Sequence, residues 1–111
     1  MKMAEYIFVY TTFPDEEKAK EIGEYLVKEK LAACVNFWPI KSIYTWKGEI
    51  QHDQEVAMII KTRKELYEKV ERRLKELHPY EVPAILEIEI ERGLREYLKW
   101  ISRCTKLDST Q

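Results

Sequence analysis

The chain has 111 residues and a mass of 13.4 kDa, which fits one domain and leaves no room for a second core. Its 45% share of apolar residues excludes a disordered chain, and its 35% share of charged residues excludes a membrane protein. Lysine and arginine number 19 against 20 aspartates and glutamates, a net charge of −1, whereas nucleic-acid binders usually carry a basic excess. We therefore expect one domain over residues 1–111 that spans no membrane and binds no nucleic acid.

The amino terminus and the cysteines indicate where the protein works. Residues 1–5 lead directly into a strand-like run without a signal-peptide pattern. Cys34 and Cys104 lie far apart in the sequence, which indicates free thiols rather than a disulfide framework. Both observations predict a cytoplasmic protein. The abundance of glutamate and lysine, together with a single asparagine, is also typical of a thermophile.

The first half of the chain predicts a strand, a helix and a long hairpin. Residues 6–12 are β-branched and aromatic, which indicates a buried strand. Apolar residues three and four positions apart predict a helix over residues 16–30. Two further strands are predicted over residues 31–46, interrupted at the proline, and over residues 55–62, with a turn at Gly48 between them.

The second half begins with the clearest helical pattern in the sequence. An apolar stripe predicts a helix over residues 62–77, and Thr62 followed by Glu65 matches a capping box at its start. Pro79 ends this helix, because a proline biases the preceding residue away from helical geometry.

A strand and a short helix complete the predicted elements. Residues 84–91 alternate, which predicts a strand with every second residue from Leu86 to Ile90 facing the core and the intervening glutamates facing solvent. Apolar spacing predicts a final helix over residues 94–101, and residues 104–111 are expected to form a frayed tail.

The order of these elements, β-α-β-β-α-β-α, indicates the fold. A four-stranded antiparallel sheet with two helices on one face is the ferredoxin-like α+β arrangement, and right-handed crossovers favour it. We expect this βαββαβ sandwich with an extra C-terminal helix.

The predicted hairpin is richer in aromatic and large apolar residues than a small covered sheet needs. Such residues on a strand must be covered, which predicts burial against another subunit. A platform for stacking single-stranded nucleic acid is the rival interpretation, and the balanced charge disfavours it. The residues concerned are Phe37, Trp38, Ile40, Ile43, Tyr44 and Trp46.

Cys34 is the first candidate for a metal ligand. It lies within a predicted strand among small apolar residues, so it is either a buried hydrophobe or, across a subunit boundary, a ligand for a soft ion such as Cu(I). His52 beside Asp53 is either a solvated turn or a pair holding a divalent ion. No Cys-x-x-Cys or His-x-x-x-His spacing predicts a closed zinc site.

A second group of polar residues lies at the ends of predicted elements: Glu55, Lys61, His78, Tyr80 and Glu81. The segment 78–83 contains two prolines and either simply ends the helix or forms a lip over a small anion or metal pocket. No phosphate-binding loop, dinucleotide fingerprint or nucleophile–histidine pairing accompanies these residues. The sequence therefore predicts neither an enzyme nor an organic cofactor.

Five segments in this order resemble the CutA divalent-cation-tolerance family, and together they cover about residues 6 to 101. They are VYTTFP (9–14), LAACVN (31–36), SIYTWKGEI (42–50), EVAMIIKT (55–62) and HPYEVPAI (78–85). The resemblance implies a ferredoxin-like protomer in a homotrimer similar to the PII signalling proteins. It also implies a cytoplasmic protein linked with tolerance to divalent cations, copper above all, without an established reaction.

The resemblance extends to individual positions. Cys34 matches the strand cysteine of the family, and other residues match motif positions near the inter-subunit clefts. These are Tyr44, Trp46, Glu55, Lys61, His78, Tyr80 and Pro83. Adding His52 and Glu81 from the residue patterns above, we expect Cys34, His78 and His52 as metal ligands and Tyr44, Trp46, Glu55, Lys61, Tyr80 and Glu81 as ligand-binding residues.

Two main functions follow from these residues. The first is a homotrimer that binds copper or another divalent cation or responds to it. The alternative is a PII-like sensor in which Lys61 and His78 hold a small anion between subunits, while Trp46 and Tyr80 form the walls of the pocket. A trimeric scaffold and a small hydrolase are the remaining alternatives.

Overall fold

The structure, a computed structural model, describes residues 4–106. Within this range the chain forms four strands and three α-helices, and a 3₁₀ turn precedes the second helix. They are β1 (Tyr6–Phe13), α1 (Glu16–Lys28), β2 (Cys34–Trp46), β3 (Glu49–Arg63), the 3₁₀ turn (Lys64–Leu66), α2 (Tyr67–Leu77), β4 (Ile85–Ile90) and α3 (Arg95–Cys104). The strands lie in the order β2-β3-β1-β4 and all pairs are antiparallel. This arrangement confirms the predicted ferredoxin-like α+β fold.

The hairpin of β2 and β3 is longer and more regular than predicted. Pairing runs without a break from Cys34 opposite Lys61 to Trp46 opposite Glu49, so the interruption expected at Pro39 is absent. Proline lacks the N–H that a central strand would need, but β2 lies at the edge of the sheet, where that donor is dispensable.

Helices α1 and α2 cover one face of the sheet, which we call the covered face. The side chain of Asp15 caps α1 by accepting a hydrogen bond from the backbone N–H of Lys18 at 2.8 Å. Alternate residues of β1 and β3 point into the core beneath the helices. The large apolar members that are fully buried are Ile7, Val9, Phe13, Met58 and Ile60.

The opposite side of the sheet, the open face, carries a second set of apolar side chains. Helix α3 packs over one end of it, where the hydroxyls of Tyr6 and Ser102 lie 2.6 Å apart. The rest of this face is left uncovered by residues 4–106. Its large apolar residues include Phe8, Tyr10, Trp38, Ile59, Leu86 and Ile88, none of which is fully buried.

The predicted facing of β4 is wrong. Leu86 and Ile88 lie on the open face and are 56% and 47% exposed, whereas Glu87 and Glu89 point to the side of the helices. There the Lys64 ammonium contacts both carboxylates, that of Glu89 at 2.6 Å. Alternation shows that the strand has an apolar and a charged face, but it does not show which one faces the helices. At this edge of the sheet the glutamates do, because they pair with Lys64.

The predicted capping role of Thr62 is also wrong. Thr62 lies inside β3, fully buried, and its hydroxyl donates to the backbone carbonyl of Leu31 at 2.7 Å. The α-helix begins five residues later, at Tyr67, because β3 continues to Arg63 to complete its pairing with β1.

The start of the predicted frayed tail is ordered. Cys104 ends α3, and Thr105 is only 5% exposed. The guanidinium of Arg63 donates to the Thr105 hydroxyl at 2.8 Å and to the Ser102 carbonyl at 2.6 Å. The remainder of the predicted tail, residues 107–111, lies outside the described residues.

Candidate functional site

A cluster of carboxylates and phenols lies on the hairpin near the end of β1. Glu55 on β3 accepts two hydrogen bonds, from the Ser42 hydroxyl at 2.7 Å and from the Tyr80 hydroxyl at 2.7 Å. On the same face, the Tyr44 hydroxyl donates to Asp53. We call these five residues the carboxylate–tyrosine cluster. It joins both strands of the hairpin to the loop that follows α2.

Both phenols of the cluster serve as hydrogen-bond donors. The hydrogen bond to Asp53 raises the pKa of Tyr44. Burial and the hydrogen bond to the Glu55 carboxylate raise the pKa of Tyr80 well above its ordinary value. The cluster therefore combines two carboxylates with two protonated phenols, a negative site that attracts cations and repels anions.

His78 anchors the loop that carries Tyr80. Its ring stacks on Phe13 with centroids 4.7 Å apart. Its Nε2 lies 2.8 Å from the carbonyl oxygen of Thr12, and its Nδ1 accepts from the backbone N–H of Tyr80 at 3.1 Å. This network assigns the proton to Nε2, and burial lowers the pKa of His78. Both ring nitrogens are occupied, so a metal would have to displace one of these bonds.

Cys34 and Lys61 lie at the other end of the sheet. They face each other in the register of β2 and β3, and Cys34 is half-buried on the open face. The Lys61 ammonium donates to the Tyr97 hydroxyl at 3.2 Å and lies over that ring. Among the described residues, the polar groups near the Cys34 sulfur belong to its own strand. They are the Val35 carbonyl at 3.8 Å and the Asn36 side-chain amide at 3.9 Å.

Lys61 and His78 do not meet within one chain. Lys61 pairs with Phe8, whereas His78 contacts Thr12 on the same strand. Four residues of strand separate the two contacts, or about 13 Å. A joint role of Lys61 and His78 around one anion would therefore need two subunits.

The three remaining candidates lie apart from the cluster. His52 is exposed and opposite Ile43, and it points away from Asp53 because adjacent strand residues face opposite sides. Trp46 ends β2 at the hairpin turn, with the Lys47 ammonium 5.7 Å from its ring centroid. Glu81 is exposed in the loop after α2.

The donor atoms of a single chain fit a metal only in part. Over residues 4–106, no three side chains of histidine, cysteine, aspartate or glutamate are close enough together to hold an ion. Cys34 offers a half-buried thiol on the open face, and a thiol suits a soft ion. A complete coordination shell would need donors from a second subunit.

Sequence reasoning missed the partners Ser42 and Tyr97. Ser42 could have been found by counting outward from the turn at Gly48, because antiparallel register places Ser42 opposite Asp53 and diagonal to Glu55. The packing of α3 over β3, which brings Tyr97 to Lys61, has no comparable local signal.

The helices formed by residues 4–106 are all too short or too polar for a membrane crossing.

Comparison with known proteins agrees with the fold and the motifs. The CutA1 divalent ion tolerance protein family matches residues 7–104. The divalent-cation tolerance protein CutA of Pyrococcus horikoshii is 48% identical over 100 residues, which span 90% of this chain and 98% of that protein. The crystal structure of CutA1 from P. horikoshii gives a TM-score of 0.89 at 46% identity and covers 91% of this chain and 99% of that one.

A second solved structure, described as the periplasmic divalent cation tolerance protein CutA from Archaeoglobus fulgidus, gives the same TM-score of 0.89. It is 46% identical and covers 91% of this chain and 99% of that one. Family match, sequence identity and superposition extend over nearly the whole chain, and so the protein belongs to the CutA1 divalent ion tolerance family.

Proposed function

We propose that this protein is a homotrimer that binds divalent cations, copper above all, and so contributes to tolerance of these ions without catalysing a reaction. The observation that carries the proposal is the family match over residues 7–104. The negative carboxylate–tyrosine cluster and the half-buried thiol of Cys34 on the open face support it, because both are suited to cations.

The open face supports the trimer. It presents Leu86, Ile88 and Trp38 at 39 to 56% exposure, and a contiguous apolar surface of this kind marks a protein–protein interface. The hairpin extends that surface with Tyr44 and Trp46. Covering it with further copies of the chain would remove the apolar area from water.

Cys34 is the metal ligand that we favour. It lies on the same face as the apolar surface, so a neighbouring subunit in the trimer could supply the donors that one chain lacks. Its thiolate is a ligand suited to Cu(I). His52 is exposed and available, whereas His78 would first have to give up a hydrogen bond to Thr12 or Tyr80.

A copper competition titration tests this assignment. The unmutated protein should take up Cu(I) stoichiometrically in competition with bicinchoninate under anaerobic conditions. Cys34→Ser should weaken the affinity at least about tenfold, or about 1.4 kcal/mol, whereas the matched variant Cys104→Ser should leave it unchanged. Unaltered affinity in Cys34→Ser would remove Cys34 from the site. Calorimetry with Cu(II) on His52→Gln and His78→Gln examines the two histidines.

The PII-like alternative makes a different prediction for the same protein. Lys61 and His78 from neighbouring subunits would hold a small anion, with Trp46 and Tyr80 beside it. A metabolite that raised the melting temperature of the unmutated protein but not of Lys61→Met would favour it over the metal-binding function, since a ligand stabilises the state it binds.

We also propose a cytoplasmic location. Cys34 and Cys104 are both free thiols, and such thiols persist in a reducing compartment. The A. fulgidus relative is described as periplasmic. The deciding measurement is therefore to fractionate cells of the source organism and to detect the protein in each fraction with an antibody. Recovery in the periplasm would contradict the proposal.

A further inference from the structure

Basic residues are concentrated on α3 and its flanks. Segment 92–106 carries five basic side chains and only one acidic side chain, Glu96. The whole chain has a net charge of −1, so this end of the molecule is positive against an acidic remainder. The basic residues, all exposed, are Arg92, Arg95, Lys99, Arg103 and Lys106.

Three of these residues form a straight row along the helix. Arg95, Lys99 and Arg103 recur every four residues, which places them on one side of α3 at a spacing of about 6 Å. The opposite side carries Ile101, which is 1% exposed. The row therefore points away from the packed side of the helix. The backbone of Lys30 lies beside the end of this helix, since its carbonyl accepts from the backbone N–H of Lys106 at 3.0 Å.

The row differs from the charged surfaces of the other helices, where glutamates are interspersed with the cations: four glutamates with three lysines on α1, and three glutamates with four lysines and arginines on α2. On α1 and α2, Lys18 pairs with Glu21 and Arg73 pairs with Glu76. Over residues 4–106, no ion pair involves a member of the row. Its charges are consequently available to an external anion.

We propose that this row binds the phosphodiester backbone of a nucleic acid without reading its base sequence. Regularly spaced phosphates match a regular row of cations on a convex surface, and binding gains free energy from the release of condensed counterions. A balanced total charge argues against such binding only when the charges are evenly spread. In this protein the basic side chains are concentrated on α3 and its flanks.

A membrane surface fits the row less well. A surface helix binds lipid by inserting its apolar side, but Ile101 on that side of α3 is buried against the protein. An acidic peptide needs a groove to hold it in register, whereas phosphates can be contacted as charges on an exposed helix. Membranes and acidic peptides are therefore outcomes that the test must separate from nucleic acid.

Fluorescence anisotropy with fluorescein-labelled DNA of mixed sequence, single-stranded and duplex, tests the proposal over a series of KCl concentrations. The unmutated protein should bind at low salt, with a logarithmic salt slope of about −0.9 per phosphate contact for duplex DNA. The triple variant R95E/K99E/R103E should bind at least about tenfold more weakly, with a slope shallower by about two to three.

A matched control distinguishes the loss of this row from the effect of a lower net charge on DNA binding. The variant K20E/R72E/K75E changes the net charge by the same amount at exposed positions of α1 and α2, and it should keep affinity within about threefold. The neutral variant R95Q/K99Q/R103Q, checked by circular dichroism, tests the row should the charge-reversed protein fail to fold.

Three results would overturn the proposal. They are an absence of DNA binding by the unmutated protein at low salt, an equal loss in row and control variants, and binding to phosphatidylserine vesicles or polyglutamate that exceeds binding to DNA. Copper affinity, measured on the same variants, should not change, so this inference can fail independently of the metal-binding function.

Discussion

The two faces of the sheet use the same strands but are completed differently. On the covered face, Val9 and Ile60 are fully buried beneath α1 and α2. On the open face, Leu86 and Ile88 alternate with the inward glutamates of β4 and remain about half exposed. The difference teaches that one chain supplies a full core on one side of its sheet and leaves apolar side chains of the other side exposed.

The comparison predicts that the covered face dominates the stability of the chain itself. Ile60→Ala should lower the free energy of unfolding by about 2–5 kcal/mol, because it leaves a cavity in a fully buried site. Guanidinium denaturation measures this. Val82→Ala, at a position 88% exposed, should stay within about 0.5 kcal/mol. Similar losses in both variants would contradict the description of the covered face as the core.

The open face should instead control assembly. Ile88→Lys places a charge in the proposed interface and should raise the dissociation constant of the trimer at least about 100-fold, or about 2.7 kcal/mol. Sedimentation velocity over a range of concentrations measures this, and circular dichroism should remain native. Leu77→Lys, an equivalent change on exposed α2, serves as the control. An unaltered trimer in Ile88→Lys would place the interface elsewhere.

Loop 78–83 connects the two faces, and Tyr80 provides the link. Tyr80→Phe removes the half-buried hydrogen bond to Glu55 and should lower the free energy of unfolding by about 1.5 kcal/mol. Tyr67→Phe removes an exposed tyrosine–glutamate hydrogen bond, to Glu71, and should cost less than about 0.5 kcal/mol. Equal effects would show that the loop does not couple the faces.

The smallest effect should come from protonation of His78. Burial lowers its pKa in the folded protein, so the unfolded chain, with an ordinary value of about 6.5, binds the proton first as pH falls. Stability should therefore decline from about pH 6.5 downwards until the lowered pKa is passed. The decline is measured by denaturation at several pH values against His78→Gln. Identical profiles would exclude His78 as the source.

Much of the fold was predictable because its signals are local. The order of elements follows from periodicity, and Pro79 ends α2 where expected, with Leu77 as its last residue. The facing of β4 was not predictable, because leucine and isoleucine that alternate with glutamate have the same pattern as a strand whose apolar side faces the core. In the folded chain Lys64 takes the glutamate side, and no local pattern announces that ion pair.

The candidate site was predictable to the extent that register could be counted. Glu55 and Tyr80 were expected among the ligand-binding residues at the ends of elements, and the structure brings the Tyr80 hydroxyl into contact with the Glu55 carboxylate. The separation of Lys61 from His78 could not be read from residue types, because both are polar residues at the ends of elements. Only the pairing of β1 with β3 shows that they lie at different ends of the sheet.

The position of the tryptophans has a practical consequence. Trp46 is 59% exposed at the end of the hairpin, Trp38 is 39% exposed on the open face, and the third, Trp100, lies on α3. Indole emission shifts to the blue when water is removed from the ring. Two of the three tryptophans therefore lie where a partner would cover them, and the unlabelled protein carries its own optical reporter of assembly.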